Sequence, residues 1–266
     1  RGEVRDRSRE ANTLNNIGSA YADLGDFQQA LDYYQQVLSL ARSVSDRAEE
    51  ATALNNIGSV YSDLGDNQKA LDYYQQALPL YQAIGDRSGE ASALNNIGTA
   101  YMNMGEQQQA LDYLLRSLPL LQAVGDQAKE ATTLNNIGAA YWDIGEKRKA
   151  LDYLLQALPI SQAVGDRTGE ARTLSNIGQV YSDLGEKQKA LDYLQQALPM
   201  RRAVGDRSGE AVTLHNIALT ERNSGNLQTA LTNIQAAIDI IEDLRTKIGS
   251  QELRASYFAQ YQDEYE

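Results

Sequence analysis

Leu54-Asn55-Asn56-Ile57-Gly58-Ser59-Val60-Tyr61-Ser62-Asp63-Leu64-Gly65-Asp66 decides the fold, because the chain rewrites this stretch every forty residues. Leu-Asn-Asn-Ile-Gly recurs at Leu14, Leu54, Leu94 and Leu134, and becomes Leu-Ser-Asn-Ile-Gly at Leu174 and Leu-His-Asn-Ile-Ala at Leu214. Tyr21, Tyr61, Tyr101, Tyr141 and Tyr181 keep step, as do Gly25, Gly65, Gly105, Gly145, Gly185 and Gly225. A unit of this length cannot bury its own apolar face and must stack on a neighbour, so the period predicts a solenoid.

One unit, residues 47–86, reads as two helices. Asp46 with Glu49 three residues on is a capping signal. Leu54, Ile57, Gly58, Tyr61 and Leu64 then form one stripe of a helix running from Arg47 to Leu64. Gly58 in mid-helix costs up to about 1 kcal/mol of propensity, which implies that a second helix approaches closely there. Gly65 predicts a left-handed stop and Asp66 the next cap. A second helix, Asn67 to Ile84, turns Ala70, Leu71, Tyr74, Ala77 and Leu78 inward. Pro79, repeated as Pro119, Pro159 and Pro199, predicts a kink or an early stop near residues 75–79. The expected fold is all-α: a right-handed superhelical solenoid of antiparallel helix pairs with a C-terminal capping helix.

The units divide as a remnant of a preceding repeat at 1–6, repeats at 7–46, 47–86, 87–126, 127–166 and 167–206, a degenerate repeat at 207–248, and a C-terminal helix or linker at 249–266. In the sixth repeat Ala218 replaces the mid-helix glycine, Glu221 the tyrosine and Thr232 the aspartate, as expected of a terminal unit with one neighbour. In the tail, Leu253, Tyr257, Tyr261 and Tyr265 share a helical face. They fit either a lid over the end of the array or a junction to a further domain.

Composition narrows the class. Hydrophobic content is 42%, enough for a continuous core, and no run approaches a membrane span. The first residues align with the tail of a preceding unit, which reads as a chain begun inside a longer protein. The absence of cysteine rules out disulfides and thiolate chemistry within these residues and fits a reducing, cytoplasmic setting. A net charge of −12 disfavours nucleic acid and anionic membranes as partners and favours a neutral or basic peptide or protein. No phosphate-cradling loop, metalloprotease helix or metal-spaced cluster is present, so the reading is non-catalytic, with no cofactor and no metal.

Leu54, Ile57-Gly58, Tyr61, Gly65, Ala70, Tyr74, Ala77 and the late proline together resemble the tetratricopeptide repeat, over about residues 7–245. The forty-residue unit, longer than the usual thirty-four, and the Gly-Asp-Arg junctions at Gly85, Gly165 and Gly205 are similar to repeats of kinesin light chains and Pins-type adaptors. The segment Ile241 to Ala259 resembles the junction between such arrays and CHAT domains of bacterial proteins, which would make this chain the sensing or targeting arm of a larger protein. The resemblance implies a protein-interaction scaffold whose first helices line a groove for an extended peptide.

On those first helices the face opposite the core stripe carries a column of asparagines. Asn15, Asn16, Asn55, Asn56, Asn95, Asn96, Asn135, Asn136, Asn176 and Asn216 are the candidate peptide-binding residues, since each carboxamide offers a donor and an acceptor to a peptide unit. The adaptor resemblance implies the same role for them. Local hydrogen bonding between units, or simple duplication, would produce the same column. Met102 and Trp142 replace the small residues Ala22, Ser62 and Ser182, and Trp142 is a hot-spot candidate or a residue buried at a bend. Arg172, with Arg222, could take a carboxylate, although the two-lysine clamp of chaperone-binding members is absent. Glu10, Glu50, Glu90, Glu130, Glu170 and Glu210 are expected to pair with an arginine three residues before or with a tyrosine hydroxyl across the unit boundary. His215 stands alone and reads as an inner-wall residue. The second functional reading is self-association through the array ends.

Overall fold

A computed structural model describes residues 2–247. Among them are twelve helices in two compact units divided between Ile144 and Gly145. The first holds α1 (Gly2–Asp23), α2 (Phe27–Val44), α3 (Arg47–Asp63), α4 (Asn67–Ile84), α5 (Arg87–Asn103), α6 (Gln107–Val124) and α7 (Gln127–Asp143). The second holds α8 (Lys147–Val164), α9 (Arg167–Asp183), α10 (Lys187–Ala203), α11 (Arg207–Asn223) and α12 (Leu227–Lys247). The division falls between the two helices of the fourth repeat. Residues 2–6 continue α1 without a break. The C-terminal helix or linker expected at 249–266 lies outside the described residues, as do its tyrosine stripe and the part of the junction segment beyond Lys247.

The punctuation works as the sequence suggests. Asp46 Oδ1 accepts the Glu49 N–H at 3.2 Å, and Asp66 Oδ1 accepts that of Lys69 at 3.2 Å, each satisfying one orphan donor of a first turn. Gly65, at φ 79°, reverses the chain between α3 and α4. At the boundaries between repeats the same left-handed position is glycine (Gly85, Gly125, Gly165, Gly205) except for Ser45, which adopts φ 58°. An L-residue there costs about 1–2 kcal/mol. Ser45→Gly should therefore raise the stability of the first unit by about 1 kcal/mol after the glycine's extra unfolded-state entropy is deducted, seen as a higher urea midpoint at unchanged slope. No gain would mean that the Ser45 side chain already offsets its backbone.

The core explains why no unit stands alone. Ala70, Leu71 and Tyr74 of α4 form one buried cluster with Ile97 and Ala100 of α5, which belong to the next repeat. Ala51 and Leu54 of α3 likewise join Ala77 and Tyr81 of α4 and Ala93 of α5. The helix glycines are contact points: a Cβ on Gly98 would lie 2.6 Å from Leu114 Cγ and 3.2 Å from the Ala110 carbonyl oxygen. Beside three of the tight turns of the first unit two tyrosines stack, Tyr21 on Tyr33, Tyr61 on Tyr73 and Tyr101 on Tyr113, with ring centroids 5.5–5.6 Å apart. Tyr181 stacks on Tyr193 in the second.

The prolines correct the reading of the second helices. Neither a stop nor a break occurs at 75–79: α4 runs on to Ile84 with Pro79 inside it, and α6, α8 and α10 carry Pro119, Pro159 and Pro199 in the same way. All four prolines are solvent-exposed, and so are the residues four before them, Gln75, Leu115, Leu155 and Gln195. The carbonyl that loses its N–H partner therefore lies on the wet side of the helix. None of the helices among the described residues is long and apolar enough to cross a membrane.

Candidate functional site

The odd-numbered helices, the first of each pair, pack side by side within each unit: α1 on α3, α3 on α5 and α5 on α7 in the first, α9 on α11 in the second. Their shared face carries the candidate site. The asparagine column is bonded along itself. Asn56 Nδ2 donates to Asn15 Oδ1 at 2.8 Å, and Asn96 Nδ2 donates to Asn55 Oδ1 at 3.2 Å, each bond joining neighbouring repeats. Asn136 Nδ2 donates to Thr99 Oγ1 at 3.3 Å, and Thr133 Oγ1 donates to Asn95 Oδ1 at 3.0 Å. A carboxamide has two donors and two acceptor lone pairs, so Asn56 and Asn96 keep an acceptor oxygen and a second N–H after these bonds. The ladder fixes their orientation and leaves part of each amide for something else.

The members are not equivalent. Asn55, Asn56, Asn95, Asn96 and Asn136 are partly exposed, Asn15 likewise, and Asn16 is exposed on α1. Asn135 is only 2% exposed and belongs to the packing. On the second unit Asn176 and Asn216 are partly exposed. Met102 near the end of α5 and Trp142 near the end of α7 are half-buried, and Arg222 is exposed at the end of α11. Asp63 and Asp143, one residue beyond the Ser62 and Trp142 positions, have carboxyl pKa values raised by burial, and the equivalent of the third repeat is the neutral Asn103.

In the first unit this face opens a cleft of about 280 Å³ lined by Asn55, Ala91, Ser92, Asn95, Asn96, Leu121 and Lys129. Its floor is apolar, and its rim offers amides, a hydroxyl and one ammonium. Lys129 Nζ lies 3.0 Å from Ser92 Oγ and 3.3 Å from Asp126 Oδ2. Ser92 and Lys129 are not among the residues that the repeat pattern marks as candidates. The available signal is departure from the neighbouring repeats, since Lys129 stands where they have Glu49, Gly89, Gly169 and Gly209, with only Arg9 of the first repeat also basic.

The recurring glutamates are structural, with a partner only partly foreseen. Arg167 reaches Glu170 at 3.3 Å and Arg207 reaches Glu210 at 2.5 Å, the expected spacing of three. Across repeat boundaries the partner is the side chain eight residues earlier: Arg42 to Glu50, Gln82 to Glu90, Gln122 to Glu130, Gln162 to Glu170 and Arg202 to Glu210. His215 is half-buried on α11, and no three acidic or histidine side chains converge among the described residues to hold a metal.

Similarity to other proteins agrees with this architecture. The solved structures that resemble the chain include a Rap protein complexed with Competence and Sporulation Factor (17% identity, 96% of this chain and 71% of that one, TM-score 0.70). A signal transduction ATPase with numerous domains from Pyrococcus horikoshii, described as having a tetratricopeptide repeat sensor, matches at 16% identity over 98% of this chain and 43% of its own, TM-score 0.74. A putative kinesin light chain from Podosopora anserina with nearly identical TPR-like repeats matches at 15% identity in its two structures, over 74% and 73% of this chain and 97% and 96% of that one, at TM-scores of 0.60 and 0.59. At these identities the likeness is one of fold. Among curated proteins no sequence match is found. The sequence model of the tetratricopeptide repeat, however, matches residues 9–83, 89–163 and 156–203, most of the chain. Helix pairs of fixed period, the mid-helix glycines under large side chains and this sequence match agree: the chain belongs to the tetratricopeptide repeat family.

Proposed function

We propose that this chain is a non-catalytic interaction scaffold that holds an extended peptide or partner segment on the face of its odd-numbered helices. The observation that carries the reading is the cleft at Asn55, Asn95, Asn96, Ser92 and Lys129. There, amides already fixed by the ladder keep a free acceptor and donor for a peptide backbone. An oriented amide loses little freedom on binding, so its hydrogen bonds contribute close to their full worth. The solved Rap protein in complex with Competence and Sporulation Factor supports the reading by analogy of fold. At long range the net charge of −12 favours a neutral or basic partner. At close range the side chains of the face decide.

The test is a display library of random peptides selected on the immobilised chain, with enriched peptides titrated against wild type and an Asn96→Ala/Asn136→Ala variant. Losing two backbone hydrogen bonds of about 1 kcal/mol each should weaken binding at least tenfold. Enrichment of no peptide, or unchanged affinity in the variant, would sink the proposal.

A further inference from the structure

The junction of α9, α10 and α11 in the second unit holds five arginines against four carboxylates, in a chain that is acidic overall. Three of the arginines are matched: Arg167 with Glu170, and Arg202 and Arg207 together with Glu210. A fourth, Arg201, is 8% exposed and pairs through Nη1 with Asp206 Oδ2, while its Nε is buried with no protein partner. The remaining carboxylate, Asp166, accepts the Gly169 N–H as a helix cap. The fifth, Arg172, makes no hydrogen bond or ion pair among the described residues, and its Nε too is buried without a protein partner. Burial and the neighbouring Arg201 charge both lower the pKa of Arg172, with Asp166 and Asp206 opposing. A desolvated guanidinium that feels its carboxylates only at a distance, with none hydrogen-bonded or ion-paired to it, is costly, and this one sits on the candidate face.

Its place follows from the repeat. Arg172 is the equivalent of Ser92, Arg201 of Leu121 and Gly209 of Lys129, the residues that line the open cleft of the first unit. The register is thus the same, with the hydroxyl and the apolar floor exchanged for two guanidinium groups. Gly209 makes the room: a Cβ there would lie 2.6 Å from Arg201 Cζ. Arg201 comes from a second helix of the pair, where the other repeats have Ala41, Tyr81, Leu121, Ser161 and Ile241.

From this geometry we infer that Arg172 and Arg201 form a subsite for one side-chain carboxylate of an acidic peptide segment. The surplus is a single positive charge, which a carboxylate neutralises and a dianionic phosphate would overshoot. The planar forks also suit two parallel N–H···O bonds. The inference rests on the odd-helix face being the binding surface and names what it reads in the second unit: acid, against the neutral or basic partner that net charge alone suggests.

The probe is hexaglutamate titrated into the uniformly ¹⁵N-labelled chain, with hexaglutamine and inorganic phosphate as comparators, read at the arginine Nε–Hε resonances. Hexaglutamate should shift those of Arg172 and Arg201 saturably, and hexaglutamine should not. Arg172→Ser, which installs the residue the third repeat already carries at Ser92, should keep the circular dichroism and urea midpoint and weaken hexaglutamate at least tenfold. Arg172→Lys should recover only part of that loss. Equal affinity in Arg172→Ser, a response to phosphate alone, or no shift at either arginine overturns the inference. The Asn96→Ala/Asn136→Ala experiment on the first unit does not depend on these arginines, so the two proposals fail separately.

Discussion

Gly98→Ala should destabilise the first unit by about 1–3 kcal/mol, the usual cost of forcing one methyl into a filled core. The added Cβ would meet Leu114 Cγ at 2.6 Å, and the Ala110 carbonyl at 3.2 Å closes the other side. Leu114 is fully buried, and its Cγ is the branch point of the side chain, so a change of terminal rotamer does not clear the contact. Leu114→Ala alone should cost about 2–5 kcal/mol for the cavity it leaves. The double variant is the informative one. The alanine methyl at 98 then occupies part of the space vacated at 114, so the pair should cost at least about 1 kcal/mol less than the sum of the singles. Denaturant titration of the four proteins gives the coupling. Additive costs would mean that Gly98 is there for the backbone and not for the approach of α6. The sixth repeat carries only the first half of this change, Ala218 on α11, and there the equivalent of Leu114 on α12 is Ile234, which is half-buried and not fully buried.

That close approach was legible in the sequence, and the reason is locality. Gly58 and Tyr74 are sixteen residues apart within one hairpin, so the period and the helix stripe together place them opposite each other. The caps at Asp46 and Asp66 and the reversal at Gly65 involve partners three residues away or fewer. What escaped the sequence lies between hairpins. The bond from Asn56 to Asn15 spans 41 positions, and whether an exposed carboxamide turns to solvent or to its neighbour depends on the spacing of two helix axes. The same column of letters therefore holds Asn96, partly exposed, and Asn135, buried. Arg172 is legible in the sequence as a cation able to take a carboxylate. Its companion Arg201 is not, because it comes from a second helix, whose inward register predicts core.

Pro119→Ala should stabilise the first unit by about 2 kcal/mol, because the proline lies inside a helix that continues past it. Proline in a helix interior is about 3 kcal/mol worse than alanine, through a missing N–H and a clash with the carbonyl four residues back. Part of that is returned in the unfolded chain, where proline restricts the ensemble by about 0.4–1 kcal/mol. Since α6 continues through Pro119 to Val124, the native state holds the ring inside the helix and does not escape the cost by ending there. The affected carbonyl, that of Leu115, belongs to an exposed residue, so alanine restores one hydrogen bond without disturbing the buried Leu114 and Leu121 on the other side. The first repeat makes the comparison natural, since Ser39 fills this place in α2 and that helix runs unbroken from Phe27 to Val44. Urea midpoints for Pro119→Ala, with Ser39→Pro as the reverse substitution, should move in opposite directions by similar amounts. If both substitutions lower the midpoint, each second helix has adapted its curvature to its own residue, and the proline belongs to the packing between repeats and is not a cost that the fold merely tolerates.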